Sequence, residues 1–292
     1  LPEARWYADL MLRELRKVIP SFLKRVDRED RGVAWAGYMT DTRRETLELA
    51  AQILAGEAPE PRPSVTLVDF DPEGEDKVLA AMLYSSASLP EDQILARVRQ
   101  LGAEERAALT RAYVGERSNR RHRPGRALER TDYRFDILCD YGAFRDLQRH
   151  RMLTLEWQRL TPDQGFDVPE AVVEAGVETT YRAAMGRSAE LFDVLDAEFP
   201  EQAPYAVSLA YRVRFVMQMN AREAMHVLEL RTTPQGHPSY RRVCQEMHRL
   251  IGEQAGHTAL AAAMSYVDHS HYDLERLEAE RLAEARRARP GS

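Results

Sequence analysis

Between Gly56 and Ser64 the chain reads GEAPEPRPS. Its three prolines lack a backbone N–H and fix φ, so no helix passes through the segment, and it reads as a stiff, extended connection. It predicts a domain boundary. Residues 1–55 fall on one side as a helical segment and 56–64 form the linker. Residues 65–270 make the main domain, and 271–292 a charged C-terminal helix or tail. Before the linker, Trp6, Leu10, Leu15, Val18, Phe22 and Leu23 recur at roughly helical spacing, and a second helix is expected over about Asp41 to Leu54.

Beyond the linker, VTLVDF (Val65 to Phe70) reads as a strand. EDKVLAAMLYSSA, LPEDQILARVRQL and AEERAALTRAYVGE read as three short helices, and SNRRHRPGR (Ser118 to Arg126) as an arginine-rich loop. TDYRFDILCD alternates, with Tyr133, Phe135, Ile137 and Cys139 on one side, which is a strand with a buried face. GAFRDLQRHR turns helical. Two long helices are predicted next, from Pro169 to about Phe199 and from about Tyr205 to Arg231. A further helix follows from about Tyr240. The class is α+β, with few strands and many helices.

Composition narrows the setting. The 292 residues carry a net charge of −6, so no global attraction to nucleic acid or to a membrane surface is expected. No run of about 18 apolar residues suggests a spanning helix. Cys139 and Cys244 are the only cysteines, too few for a disulfide framework and without zinc spacing, so a cytoplasmic setting is expected and no metal site. The chain opens at Leu1 inside a helical pattern, as a piece of a longer protein would.

Two stretches carry the chemistry. Arg149-His150-Arg151 ends an amphipathic segment and is followed by Thr154, Glu156, Trp157 and Arg159. A basic helix end is either a solvated complement to the helix dipole or an anion holder, since arginine forks suit phosphate. The second stretch is NAREAMHVLELR (Asn220 to Arg231). Arg222 and His226 share one helical face, with Asn220 and Arg231 on another. A largely apolar helix carries such groups where partners satisfy them, either a ligand or an ion-pair network with Glu223 and Glu229. The arginine-rich loop supports an anionic ligand. Without interleaved aromatic residues it gives little support to nucleic acid.

Together these stretches resemble the flavin-dependent thymidylate synthases. That family carries R-H-R followed by two spaced serines and an arginine, then N-x-R-x-x-x-(H/N)-x-x-x-x-R and a later histidine. The resemblance spans roughly Val65 to Ala263. Asn220, Arg222, His226 and Arg231 match the second signature in full, and Arg149, His150 and Arg151 match the start of the first. It implies a small antiparallel sheet packed with long helices, assembled as a homotetramer or, after duplication, as a pseudo-tetramer with the flavin site between subunits. The implied reaction methylates dUMP to dTMP, with FAD as cofactor and methylenetetrahydrofolate and NADPH as co-substrates. Arg149, His150, Arg151, Asn220, Arg222 and His226 would bind FAD. Arg231 would be catalytic, polarising the pyrimidine, and Glu156 would join it on the nucleotide side.

The first signature then departs from the family. Its two serines and last arginine align with Thr154, Arg159 and Thr161, and the family's upstream Glu-His becomes Glu129-Arg130. Arg130 thus replaces a flavin-contacting histidine, and against flavin binding stands an arginine that could fill the flavin's place and pair with Glu156 or Asp136. The later histidine survives two residues late as His237. These losses fall mostly on the nucleotide side. They leave an alternative: a catalytically silent copy acting as structural or regulatory partner of an active one. The opening LPEARWYADLMLRELRKVIP can also be laid on GHPSYRRVCQEMHRLIGEQA (Gly236 to Ala255), so residues 1–55 are expected to end a preceding copy of the domain.

Overall fold

A computed structural model describes residues 2–26, 28, 30–271, 281, 284 and 285. The predicted tail over 271–292 lies almost wholly outside the described residues. The chain divides into two compact units, Leu1–Pro61 and Arg62–Ser292. The first is helical: α1 (Pro2–Val18), α2 (Pro20–Leu23) and α3 (Val33–Ile53). The last starts well before the expected Asp41. None of the residues of α1 is buried.

In the second unit, β1 (Val65–Phe70) leads into α4 (Gly74–Tyr84), α5 (Glu91–Val98) and α6 (Ala103–Val114). A loop and a 3-10 turn, Arg126–Arg130, precede β2 (Asp132–Asp140), α7 (Tyr141–Leu147) and β3 (Thr154–Trp157). Then come α8 (Glu170–Glu174), α9 (Glu178–Glu198), β4 (Arg212–Asn220), α10 (Ala221–Arg231), α11 (Pro238–Glu253) and α12 (Thr258–Ala263). No helix among the described residues is long and apolar enough to cross a membrane.

The four strands form one antiparallel sheet in the order β1-β2-β4-β3. Its register follows from alternation. Tyr133, Phe135, Ile137 and Cys139 of β2 stand opposite Met219, Met217, Phe215 and Val213 of β4, and all eight are buried. Val65 and Leu67 of β1 extend the apolar face on one side, and Leu155 of β3 on the other. Helices α4, α7, α10 and α11 bury Val78, Phe144, Leu147, Met225, Leu228, Met247 and Ile251 in the same core. Each fully buried side chain of this size contributes roughly 1.5–3 kcal/mol. The opposite face is polar: Arg134 donates to Gln218 at 2.9 Å, and Arg214 pairs with Asp136 at 3.0 Å. One dry and one wet face is the usual state of an antiparallel sheet.

Two expectations are corrected. The long helix predicted from Tyr205 to Arg231 is a strand followed by a helix. Arg212, Arg214, Val216 and Gln218 alternate with the buried Val213, Phe215, Met217 and Met219, and this period of two prevails because β4 is a central strand. The helix predicted over 169–199 is broken into α8 and α9 at Gly176, where φ is +67°. Glycine adopts that backbone without the Cβ penalty of other residues.

Candidate active site

Strand β2 hands over to α7, and β4 to α10, through the same device. The Asp140 side chain accepts from the Ala143 N–H at 2.8 Å, and Asn220 accepts from the Glu223 N–H at 2.9 Å. Both are N-caps that satisfy a backbone donor lacking a partner in the first turn. Because β2 and β4 are antiparallel neighbours, α7 and α10 start from opposite ends of the pair and run toward each other over the apolar face. Their last turns therefore meet. The two sequence signatures, some eighty residues apart, come together there.

The meeting point is His150. It is buried, and its Nε2 lies 3.0 Å from Arg231 Nε. Arginine Nε donates and never accepts, so His150 Nε2 is the acceptor and its proton sits on Nδ1. Nδ1 faces Glu223 Oε1 at 3.6 Å, and the His226 ring lies edge-on to His150 with centroids 5.6 Å apart. Arg231 also donates to the Asp146 carbonyl at 2.6 Å and lies over the Tyr240 ring, 5.5 Å from its centroid. Arg231 is thus turned inward.

His150, Glu223 and His226 place one ligand atom each within 4.8 Å of one another, the spacing of a metal site. The tautomer imposed by Arg231 removes the Nδ1 lone pair that a cation there would need. Arginines 120, 123 and 222 nearby repel a cation further. These residues fit an anion better than a metal.

Arg222 and His226 open onto a cleft. Its lining also includes Arg117, Arg120, Arg123, Pro124, Glu223, Met225 and Glu229, so four arginines stand against two glutamates. Arg222 donates to the Pro124 carbonyl at 3.1 Å and to Glu129 at 3.1 Å. The Arg117 guanidinium holds both oxygens of the buried Glu229 at 2.6 Å. Burial lowers the pKa of His226, and the nearby Arg123 and Arg120 charges push the same way against Glu223. A neutral His226 at the floor of the cleft can accept or donate one hydrogen bond.

Other expected site residues lie elsewhere. Arg149 is 71% exposed and pairs with Asp146 at 3.1 Å. Arg151 is exposed and has no hydrogen bond or ion pair among the described residues. Neither lines the cleft of Arg222 and His226. Asn220 uses its side-chain oxygen as a helix cap. Glu156 is exposed on the edge strand β3, opposite Val216. Arg130 pairs with Glu91 at 3.5 Å, not with Glu156 or Asp136; Asp136 already holds Arg214. Arg159 is committed to Asp196 and to the Pro200 carbonyl. His237 caps α11, accepting from the Ser239 N–H at 3.3 Å. The residues not singled out from the sequence are Arg117 and Asp146; Glu223, expected as an ion-pair partner, faces His150. Arg117 lies just ahead of the arginine-rich loop, whose density of arginines was the available signal.

Comparison with known proteins agrees with this architecture. The family model described as Thymidylate synthase complementing protein matches residues 66–255. A UPF0159 protein of Chlamydia muridarum is 34% identical over 281 residues, covering 96% of this chain and 53% of the relative. One from Chlamydia pneumoniae is 36% identical over 281 residues, covering 96% and 52%. The chain therefore spans about half the length of the curated relatives it matches. Among solved structures, the UMP/dUMP methylase PolB from Streptomyces cacaoi, bound with 5-Br dUMP, superposes with a TM-score of 0.54 at 21% identity. That match covers 68% of this chain and 94% of the other, and it shows a shared fold. The matched span includes the sheet and both signature segments, and the chain belongs to the Thymidylate synthase complementing protein family.

Proposed function

We propose that the chain is a flavin-dependent thymidylate synthase-like methyltransferase. It would methylate C5 of dUMP or a related uridine nucleotide, with FAD as cofactor and methylenetetrahydrofolate and NADPH as co-substrates. The observation that carries this reading is the junction at His150. The R-H-R histidine and the last arginine of the second signature bond at 3.0 Å, beside His226 of that same signature. When bound, the flavin would supply the hydride that reduces the transferred carbon. The protein's part is to hold and to orient. Arg222 and His226 face the cleft, His150 fixes Arg231, and Asn220 sets the start of the helix that carries them. Arg149 and Arg151, pointing outward, suit a ligand completed by another copy in a homo-oligomer, a tetramer or pseudo-tetramer. The protein is proposed to work in the cytoplasm. Tritium release from 5-tritiated dUMP in the presence of the carbon donor and reduced flavin tests the reaction. Flavin-loaded protein that releases none removes this reading.

The second reading is a silent copy that partners an active one. It is favoured by the inward turn of Arg231, whose side chain is 12% exposed and committed to Asp146 and His150, and by the commitment of Arg159 to Asp196. Both remove cations from the nucleotide side. An intact R-H-R signature with both serines in sequence preceding residue 1 would assign catalysis to the other copy.

The domain assignment belongs to the same proposal, with residues 1–55 as the end of a preceding copy. Laid proline to proline, α1 and α11 share part of a pattern. Pro2, Arg5, Ala8, Met11 and Leu15 fall on Pro238, Arg241, Cys244, Met247 and Ile251. In α11 all of these but the proline are buried, whereas α1 buries none. A relative about twice the matched length has room for such a copy.

A further inference from the structure

Of the four arginines around the cleft, two are neutralised within the fold. Arg117 uses every N–H it has. Nε donates to the His122 carbonyl at 2.8 Å, Nη1 to Glu229 at 2.6 Å and Met225 Sδ at 3.4 Å, and Nη2 to Glu229 at 2.6 Å and the Arg120 carbonyl at 2.9 Å. Arg222 is held by Glu129 and the Pro124 carbonyl. Arg120 and Arg123, in contrast, carry no side-chain hydrogen bond or ion pair among the described residues, although both line the cleft.

The backbone that carries them is nevertheless fixed. Arg117 grips the loop at residues 120 and 122, Asn119 accepts from the Arg121 N–H at 2.8 Å, and Arg222 ties down residue 124. Two guanidinium groups thus line one cleft without an ion pair of their own, facing Glu223 as the carboxylate there that Arg117 does not hold, on a chain whose net charge is −6. Like charges in one cleft are unfavourable until an anion joins them. A guanidinium fork grips one phosphate group through two parallel hydrogen bonds, so two forks suit two phosphates. Their field also contributes to the lowered pKa of His226 beneath them.

We propose that the loop Arg117–Pro124 and the first turns of α10 form a diphosphate subsite, with Arg120 and Arg123 as its binding cations and Arg222 and His226 as its floor. The proposal deepens the flavin reading, on which it rests for the rest of the ligand, by naming the diphosphate of a dinucleotide as the group held. It moves that role from Arg149 and Arg151 to loop residues outside both signatures.

The test is calorimetric titration of the whole 292-residue chain with inorganic pyrophosphate, and separately with FAD. The wild type binds pyrophosphate, and the R120A/R123A variant binds it at least about tenfold more weakly, the scale of one lost charge-assisted bond. The R149A/R151A variant binds it as the wild type does. Both variants change exposed or half-exposed side chains without internal partners other than the surface pair of Arg149, so unchanged circular dichroism is expected. Wild-type protein without affinity for pyrophosphate overturns the proposal. Unchanged affinity in R120A/R123A, or an equal loss in R149A/R151A, overturns it as well. The FAD titration separates the two ideas. FAD bound equally by the wild type and R120A/R123A sinks the subsite and leaves the flavin reading standing. Pyrophosphate bound through Arg120 and Arg123, without FAD binding, keeps the subsite and removes the flavin.

Discussion

The R-H-R turn and the arginine-rich loop follow one plan with different cores. Each sets one side chain inside the protein and leaves its neighbouring arginines toward solvent. In the turn the inner group is His150, a neutral acceptor for Arg231, with Arg149 and Arg151 outside. In the loop it is Arg117, a full charge paired with Glu229, with Arg120 and Arg123 at the cleft. A motif's spacing therefore does not say which of its residues meets the ligand. The inner residue positions the segment, and the outer ones remain available.

The largest expected effect breaks the loop's core. Arg117→Ala leaves Glu229, whose side chain is 1% exposed, without its cation. Removing one partner of a buried pair costs about 3–5 kcal/mol, to be read in urea unfolding. A loss below about 1 kcal/mol would place the loop's anchor elsewhere. The matching change in the turn is smaller. Arg231→Ala removes the donor to His150 and to the Asp146 carbonyl, and should cost about 1–3 kcal/mol. If it exceeds the effect of Arg117→Ala, the ranking of the two cores is reversed.

The next test uses acid. Burial lowers the pKa of His226 below its ordinary 6.5, and the unfolded chain therefore binds more protons than the folded one as the pH falls below that value. The stabilising contribution is present above pH 6.5 and is lost as the pH falls through the lowered folded value. His226→Asn should make the acid-side loss of stability shallower, although His248 and His257, lowered by burial too, keep part of it. Pyrophosphate should raise the His226 pKa in a proton NMR titration, because it cancels the field of Arg120 and Arg123. A downward shift would contradict the subsite. The smallest effect is expected at Arg149→Ala. Its pair with Asp146 is largely exposed, and the stability change should stay within about 1 kcal/mol.

The sheet was legible in part. Val65 to Phe70 and Asp132 to Asp140 are the strands read from the sequence, the second with the alternation read there. Strand β4 was hidden because its apolar Val and Met residues run without a breaker into those of α10. The signal at the junction was Asn220 followed three residues later by Glu223, the pattern that starts a helix, and the structure uses that asparagine as a cap. Strand β3 is four residues long at the sheet edge, too short for a pattern. Within the site, the meeting of His150 and Arg231 depends on β4 lying between β2 and β3, which no local spacing encodes. The inward turn of Arg231 and the pairing of Arg149 at the surface depend on Asp146, a residue that no motif includes.

Gly74 at the start of α4 has a consequence for how this protein tolerates change. A Cβ there would lie 2.1 Å from Thr131 Oγ1 and 2.8 Å from His257 Cε1. Thr131 in turn receives the Ala221 N–H on its carbonyl, at 3.0 Å. Even a methyl group at position 74 therefore pushes on the residue that seats the first turn of α10, and through it on Arg222 and His226. In a saturation screen scored by ligand binding, position 74 would look like a binding residue while touching no ligand. The fault would be mechanical, transmitted along one short chain of contacts.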